Sequence, residues 1–243
     1  IGIDLSYFQN QDGFAKKLIP MPEDKPGPVW TDAVFALKDS DGREKLVAHF
    51  SRMKDISKRL ERGIMIFNDP KQELESQVNV ALDEPLGPQG QAIDQKIAVN
   101  GAEYQYFSHW GPPNIRVKAD IKSVLDVSQY EAYTPIKSGG VFKGTETILD
   151  RQNGKLIWAW KRGTGTLSAR EQKELIDAGL MTADESPHFL RNSEDDKPVT
   201  IHSASVSYNA FRKKWIMIAL EIDGTSKLGE VWYAEAATPE GPW

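Results

Sequence analysis

Side chains capable of acid–base chemistry and of ring stacking recur where short predicted strands begin or end. These candidate site residues are Trp30, Asp32, Arg52, Asp94, His109, Trp110, Glu146, Arg162, His202, Glu221 and Glu230. A carboxyl or imidazole group can act as a general acid or base, because the environment can move its pKa toward neutrality. Aromatic rings provide flat apolar platforms. The pattern predicts a polar surface that contains aromatic rings, although any one of these residues could be simply a solvated strand end.

The elements that position these residues are predicted to be short antiparallel strands. Residues 29–37 and 45–52 flank the turn 39–42 as a hairpin, and 63–67 and 76–82 add a third and a fourth strand. The same order of strand, tight turn, aromatic strand and further strand recurs around turns at 100–101, 153–154 and 210–213. The spacing of roughly 45 to 60 residues falls at or above the blade periods of known propellers. We therefore predict an all-β protein, a β-propeller of the five-bladed type or part of one, with a sandwich as the alternative for a single set of strands.

One segment departs from this pattern. Ser168 is placed as an N-cap with Glu171 three residues later, and Leu175, Ile176 and Leu180 follow on one helical face. We predict a short helix within a helical and loop insertion at 164–198, and a boundary between two domains is the alternative. Residues 1–28 are interpreted as an N-terminal extension, and residues 1–243 as a single propeller domain or a portion of one. The last predicted sheet lacks a fourth strand, so we expect either a portion of a longer protein or an open architecture.

Composition narrows the classes of function. The chain has 243 residues, no cysteine and a net charge of −5. The absence of cysteine excludes disulfides and thiolate chemistry, and the acidic balance argues against a nucleic-acid partner. No run approaches the roughly 18 apolar residues of a membrane helix, so no membrane partner is expected. The four histidines lack metal-ligand spacing, so no cofactor is predicted, although a calcium ion held by carboxylates is compatible with the sequence.

Two stretches carry a resemblance to a known group of proteins. "SVSYNAFRKKWIMIALE" followed by "GEVWYAEAATPEGPW" is similar to the blade pattern of the five-bladed glycoside hydrolases of families 43, 32, 62 and 117. "VWTDAVFALKDSDGREKLVAHFSR" likewise resembles their "W-A-P-D-V" strand and its hairpin. An uncharacterised branch of exported propeller proteins is a closer possible relation. The resemblance implies a five-bladed propeller and catalysis by two Asp and one Glu on its axial face.

The resemblance assigns catalytic positions with one departure. Asp32 occupies the place of the aspartate in "W-A-P-D-V", but "IHSAS" stands where the family 43 pattern has "E-G-P". His202 or Ser203 therefore occupies the place of the general acid, and Glu146, Glu221 and Glu230 are the alternative sources of a proton. Glycoside hydrolysis needs one ionised carboxylate and one that holds its proton. Either another residue supplies the acid, or the chemistry has been lost.

The implied function is carbohydrate-active. The first hypothesis is a glycoside hydrolase acting on a plant or algal polysaccharide, and the second is a propeller that binds glycan or protein without turnover. A structural repeat domain is a third interpretation. Trp30 and Trp110 are expected to stack on sugar rings, and Arg52, Arg116, Lys161 and Arg162 would favour an anionic sugar. Such a protein would be extracellular or periplasmic, and the sequence leaves its oligomeric state open.

Overall fold

The structure is a computed structural model that describes residues 6–22, 24–108 and 110–243. It divides into two compact units, Ile1–Leu82 and Asp83–Trp243. Antiparallel strands dominate both units, and the helices are short. The all-β class predicted from the sequence is therefore confirmed. No closed propeller is apparent among the described residues, so that arrangement stays a prediction.

The first unit contains one antiparallel sheet of four strands in sequence order. The strands are β1 (Val29–Lys38), β2 (Glu44–Met53), β3 (Arg59–Asn68) and β4 (Glu73–Val80). Alternation along β1 buries Ala33, Phe35 and Leu37 and leaves the residues between them exposed. The four strands predicted for this region are thus confirmed, with boundaries that differ by a few residues.

The predicted N-terminal extension packs against this sheet. Its described residues, 6–22 and 24–28, form no strand, although Gln9 and Ala15 form an isolated bridge. Ile19 and Met21 cover a cluster that includes Phe50 and Met65. Segments without regular structure can therefore still supply core contacts. Residues 1–5 and 23 of the extension lie outside the described residues.

The second unit contains two larger sheets and several small elements. Its first part holds β5 (Gln91–Ala92), β6 (Ile97–Val99), β7 (Ala102–Ser108), β8 (Pro113–Lys118), helix α1 (Ile121–Val124) and β9 (Glu131–Thr134). Then follow β10 (Arg151–Gln152), β11 (Lys155–Leu156), β12 (Ala159–Arg162) and helix α2 (Ala169–Asp177). The last part holds β13 (Leu190–Arg191), β14 (Pro198–Val199), β15 (Ile201–Asn209), β16 (Lys214–Ile222) and β17 (Leu228–Ala236).

The third predicted repeat does not form a sheet of its own. The turn at 153–154 does connect a hairpin, β10–β11, but the tryptophan-rich strand β12 pairs with β9. It thereby extends the sheet β12-β9-β8-β7-β5, in which β6 also pairs with β7. The reason lies in packing, since the Trp160 ring contacts Tyr106 at 5.2 Å and Tyr133 at 5.3 Å between centroids. Burial of the aromatic ring favours this pairing over a local hairpin.

The last sheet has the predicted strands and the predicted turn at 210–213. Strands β15, β16 and β17 are antiparallel in that order, and no described strand pairs with the outer edge of β17. One face packs Val206, Met217 and Trp215 into a core that also contains Tyr106. After β17 the chain turns at Pro239, where Gly241 N donates to the Thr238 carbonyl oxygen at 3.1 Å. The strand thus ends in a corner that packs back onto the unit.

Helix α2 begins with the predicted capping box. The Ser168 hydroxyl accepts from Glu171 N, and Glu171 accepts from Ser168 N at 2.7 Å. Leu175 is fully buried against a cluster that contains Ile136, Leu167 and Met181. The rest of the predicted helical and loop insertion contains the small hairpin β13–β14, whose two strands are connected by the polar segment 192–197. None of the helices in the described residues is long and apolar enough to cross a membrane.

Candidate functional site

Trp110 lines a surface groove in the second unit. It occupies the turn between β7 and β8, and its side chain is 51% exposed. Its φ of 58° is in the left-handed region, which is rare for a bulky residue and is often found at functional sites. The Ser108 hydroxyl donates to the Gly111 carbonyl oxygen and fixes this turn. The chain therefore holds a large aromatic ring in a costly conformation at the surface.

His202 packs against this ring, with 5.6 Å between the ring centroids. It is the extra residue of a β-bulge in β15, because Ile201 pairs with Glu221 and Ser203 with Leu220. A bulge redirects the side chain of the inserted residue. Two residues proposed from the sequence, Trp110 and His202, are therefore brought together.

The groove has two lobes that share Trp110 and Ser168. The first, which we call the histidine lobe, has a volume of about 310 Å³. Its other lining residues are Ala169, Arg170, Ile201, His202 and Ile222. The second, which we call the glutamate lobe, has a volume of about 410 Å³. Its other lining residues are Pro85, Gln89, Val141, Phe142, Gly165, Thr166 and Glu171. Both volumes are in the range of small-molecule sites.

The charged groups in these lobes have partners of their own. Arg170 lies 3.1 Å from the Asp223 carboxylate, and both side chains are exposed. Glu171 is engaged in the capping box of α2. The groove thus combines an aromatic platform with hydrogen-bonding groups, and its two charged side chains are already paired.

Two further predicted residues lie on the other two strands of this sheet, Glu221 on β16 and Glu230 on β17. Glu221 is buried, pairs across the sheet with Ile201, and accepts a hydrogen bond from Trp232 Nε1 at 2.6 Å. Glu230 accepts hydrogen bonds from the hydroxyls of Thr225 and Ser226. The hydrogen bond from Thr225, followed by those from Ser226, holds the pKa of Glu230 below its usual value. Glu230 is therefore ionised at neutral pH and is unsuited to donate a proton.

Other predicted residues of this unit lie elsewhere. Asp94 is exposed between β5 and β6, and Glu146 is exposed between β9 and β10. Arg162 Nε is 3.5 Å from a Glu131 carboxylate oxygen. None of these three lines either lobe. His109 lies outside the described residues.

The first unit holds the remaining predicted residues on β1 and β2. Asp32 is the extra residue of a bulge between the pairs Thr31–Phe50 and Ala33–His49. Burial raises the pKa of Asp32 above its usual 3.8, although the hydrogen bond from Ser51 Oγ, at 2.6 Å, opposes this shift. Trp30 is 42% exposed on the same strand. Asp32 is therefore a carboxyl group that releases its proton with more difficulty than usual.

The cations expected to favour an anionic sugar all face carboxylates. Arg52 lies 3.0 Å from Glu61, and Lys161 lies 3.0 Å from Asp150. Arg116 lies 2.7 Å from Glu131, which Arg162 also approaches. The Arg116 guanidinium is in addition stacked between the rings of Tyr104 and Trp160, at 4.5 and 4.3 Å. The structure therefore gives no support to the expected preference for an anionic ligand.

Sequence reasoning missed the part of the groove formed around the start of α2. Gln89, Thr166, Ser168 and Glu171 line it, whereas the sequence pattern indicates only an insertion at 164–198. The capping signal at Ser168 was available and marks where a helix begins. It did not show that this helix begins beside Trp110, because that proximity is a property of the tertiary fold.

Comparison with known proteins adds no assignment. No protein-family model matches the chain, and the comparison with curated proteins gives no significant match. Within residues 6–22, 24–108 and 110–243, no three His, Asp or Glu side chains are grouped so as to hold a metal ion. The candidate site therefore rests on its geometry and on the implied family resemblance.

Proposed function

We propose that this chain is a carbohydrate-binding protein that holds a glycan in the groove around Trp110. One observation carries the proposal: a half-exposed indole ring is held in a left-handed turn between two lobes of ligand size. Sugars present apolar C–H faces and a rim of hydroxyl groups. Such a molecule matches a flat aromatic ring bordered by hydrogen-bonding groups.

The chemistry of the lobes favours a neutral glycan. Arg170 is paired with Asp223, and Glu171 is engaged in the capping box. Gln89, Thr166 and His202 remain as uncharged or weakly basic lining groups suited to hydroxyls. A polysaccharide ligand would be met outside the cytoplasm, so the proposal includes an extracellular or periplasmic location.

We further propose that the sheets belong to a propeller of the five-bladed type. Support comes from two sheets compared strand by strand: β1-β2-β3 and β15-β16-β17 have the same order and antiparallel directions. Each first strand carries a bulge near its start, at Asp32 and at His202. A bulge at the same position of the first strand is expected in repeated blades and is less expected in unrelated sheets.

Hydrolysis of the glycan is the second candidate function. The observation that favours it is that two predicted carboxyl groups have pKa values shifted in opposite directions, Asp32 upward and Glu230 downward. A glycosidase needs one carboxyl that retains its proton and one that is ionised. Asp32 is the predicted carboxyl group that meets the first requirement.

A binding screen tests the main proposal. Purified protein is titrated by calorimetry with neutral and acidic glycans, and Trp110→Ala is compared with Phe211→Ala. Phe211 is a matched control, because it is an exposed aromatic residue of the same unit, roughly 25 Å from His202 along β15. Loss of stacking should weaken binding about tenfold in Trp110→Ala and leave Phe211→Ala unchanged. The proposal would be refuted if the wild-type protein bound none of the glycans, or if the two variants bound with equal affinity.

Turnover separates the two candidate functions. The glycans that bind are incubated with wild type, Asp32→Asn and Glu230→Gln, and released reducing ends are measured. A hydrolase loses turnover in at least one of the two variants while that variant retains its fold by circular dichroism. Binding without release of reducing ends from wild type would assign the non-catalytic function.

A further inference from the structure

The histidine and glutamate lobes meet at Trp110, which lines both of them. The histidine and glutamate lobes have only Trp110 and Ser168 in common. Each lobe has a volume that is large enough for a small molecule by itself. A ligand that stacks on Trp110 and fills only one lobe would therefore leave the other lobe to water.

The walls of the two lobes differ in chemistry. In the histidine lobe, Ile201, Ile222 and Ala169 provide apolar surface beside the imidazole of His202. In the glutamate lobe, Gln89, Thr166 and Glu171 provide amide, hydroxyl and carboxylate groups. The two lobes therefore suit a ligand of which one part makes apolar contacts in the histidine lobe and another part makes hydrogen bonds in the glutamate lobe.

Resting on the proposed glycan binding, we propose that the groove takes a chain of at least two neutral sugar units, one in each lobe, with Trp110 at the junction. A chain contacts both walls, whereas a monosaccharide contacts one. Neutral units fit because the charged side chains of both lobes are already paired, Arg170 with Asp223 and Glu171 with the start of α2. The ligand class is thus an oligosaccharide, which should bind more tightly than a monosaccharide.

Calorimetric titration with gluco-, xylo- and galacto-oligosaccharides of one to four units tests this inference. The series that binds should show about tenfold higher affinity for the disaccharide or trisaccharide than for the monosaccharide, as expected for one or two added hydrogen bonds. Equal affinity for monosaccharide and trisaccharide would overturn the inference while leaving the proposed function intact. Absence of binding by every series would overturn both.

A pair of matched variants locates the second sugar unit. Gln89→Trp fills the glutamate lobe, and Gln91→Trp adds the same ring on β5 at a residue that lines neither lobe. Gln89→Trp should reduce trisaccharide affinity to the level of the monosaccharide and change monosaccharide affinity less than twofold, whereas Gln91→Trp should bind as wild type. Thr166→Val, a smaller change, should reduce trisaccharide affinity selectively. Undiminished trisaccharide binding by both Gln89→Trp and Thr166→Val would contradict the two-lobe arrangement.

Discussion

Glu240 lies in the C-terminal turn that follows β17, and one of its carboxylate oxygens connects this turn to the large sheet of the second unit. That oxygen, Oε1, accepts hydrogen bonds from the Tyr106 hydroxyl and from Trp160 Nε1, both at 3.1 Å. The backbone oxygen of Glu240 faces His188 Nε2 at 3.1 Å. Tyr106 is completely buried, so its hydroxyl has little access to water. One side chain therefore satisfies two donors at the junction of the corner and the large sheet.

Truncation by Glu240→Ala leaves both donors without this acceptor. Each donor left unsatisfied in a buried site costs about 1–3 kcal/mol, and entry of water at the half-buried Glu240 offsets part of that cost. We expect the free energy of unfolding to fall by about 2–4 kcal/mol. Glu240→Gln keeps an acceptor oxygen and removes only the charge, so we expect a loss of about 1 kcal/mol.

Urea unfolding of the full chain, followed by tryptophan fluorescence, measures these differences. Glu235→Ala is the control, because Glu235 also accepts several hydrogen bonds, but its partners Arg212 and Lys214 have exposed side chains. We expect it to lower the urea midpoint less than Glu240→Ala does. A Glu240→Ala protein as stable as Glu240→Gln would refute the argument that the two donors depend on this oxygen.

Three further predictions concern titration and capping. Burial lowers the pKa of His188 from 6.5 to about 4, so the free energy of unfolding should fall by about 3 kcal/mol as the pH decreases from 6.5 to 4. In urea unfolding, His188→Gln should flatten this pH profile, and a profile unchanged by the variant would contradict the assignment. Ser51→Ala should raise the pKa of Asp32 further, because it removes a hydrogen bond that stabilises the ionised carboxylate. Carbon NMR titration of the Asp32 carboxyl group measures this pKa, and a lower value in the variant would be inconsistent with the prediction. Ser168→Ala should destabilise the second unit by about 1 kcal/mol through loss of the N-cap, whereas Ser168→Thr should retain most of that stability in thermal unfolding.

Local features of the fold could be predicted from the sequence. The hairpin turns at 39–42, 153–154 and 210–213 and the capping box at Ser168 depend on neighbouring residues, and all are present. The pairing of β12 with β9 could not be predicted, because it joins strands separated by a long loop through the packing of Trp160. Non-local pairing of this kind leaves no periodic signal in the sequence.

The candidate site was predicted in part. The equivalent positions of Asp32 and His202 followed from the repeated strand pattern, and both residues occupy bulges. The contact between Trp110 and His202 joins residues of separate sheets, and the glutamate lobe adds segments near 85–89, 141–142 and 165–171. The ion pairs of Arg52, Arg116 and the other predicted cations could not be predicted either, because a sequence shows which residues are charged and does not show which of them pair.

Titration of the tryptophan indole resonances with a bound oligosaccharide tests the central claim most directly. The seven indole N–H signals are recorded by nitrogen–proton NMR, and the Trp110 signal is assigned by its absence in Trp110→Phe. If the glycan stacks on Trp110, the Trp110 signal shifts in proportion to occupancy, while that of the buried Trp215 stays in place. A Trp110 signal that does not move at saturating ligand would contradict glycan binding in this groove.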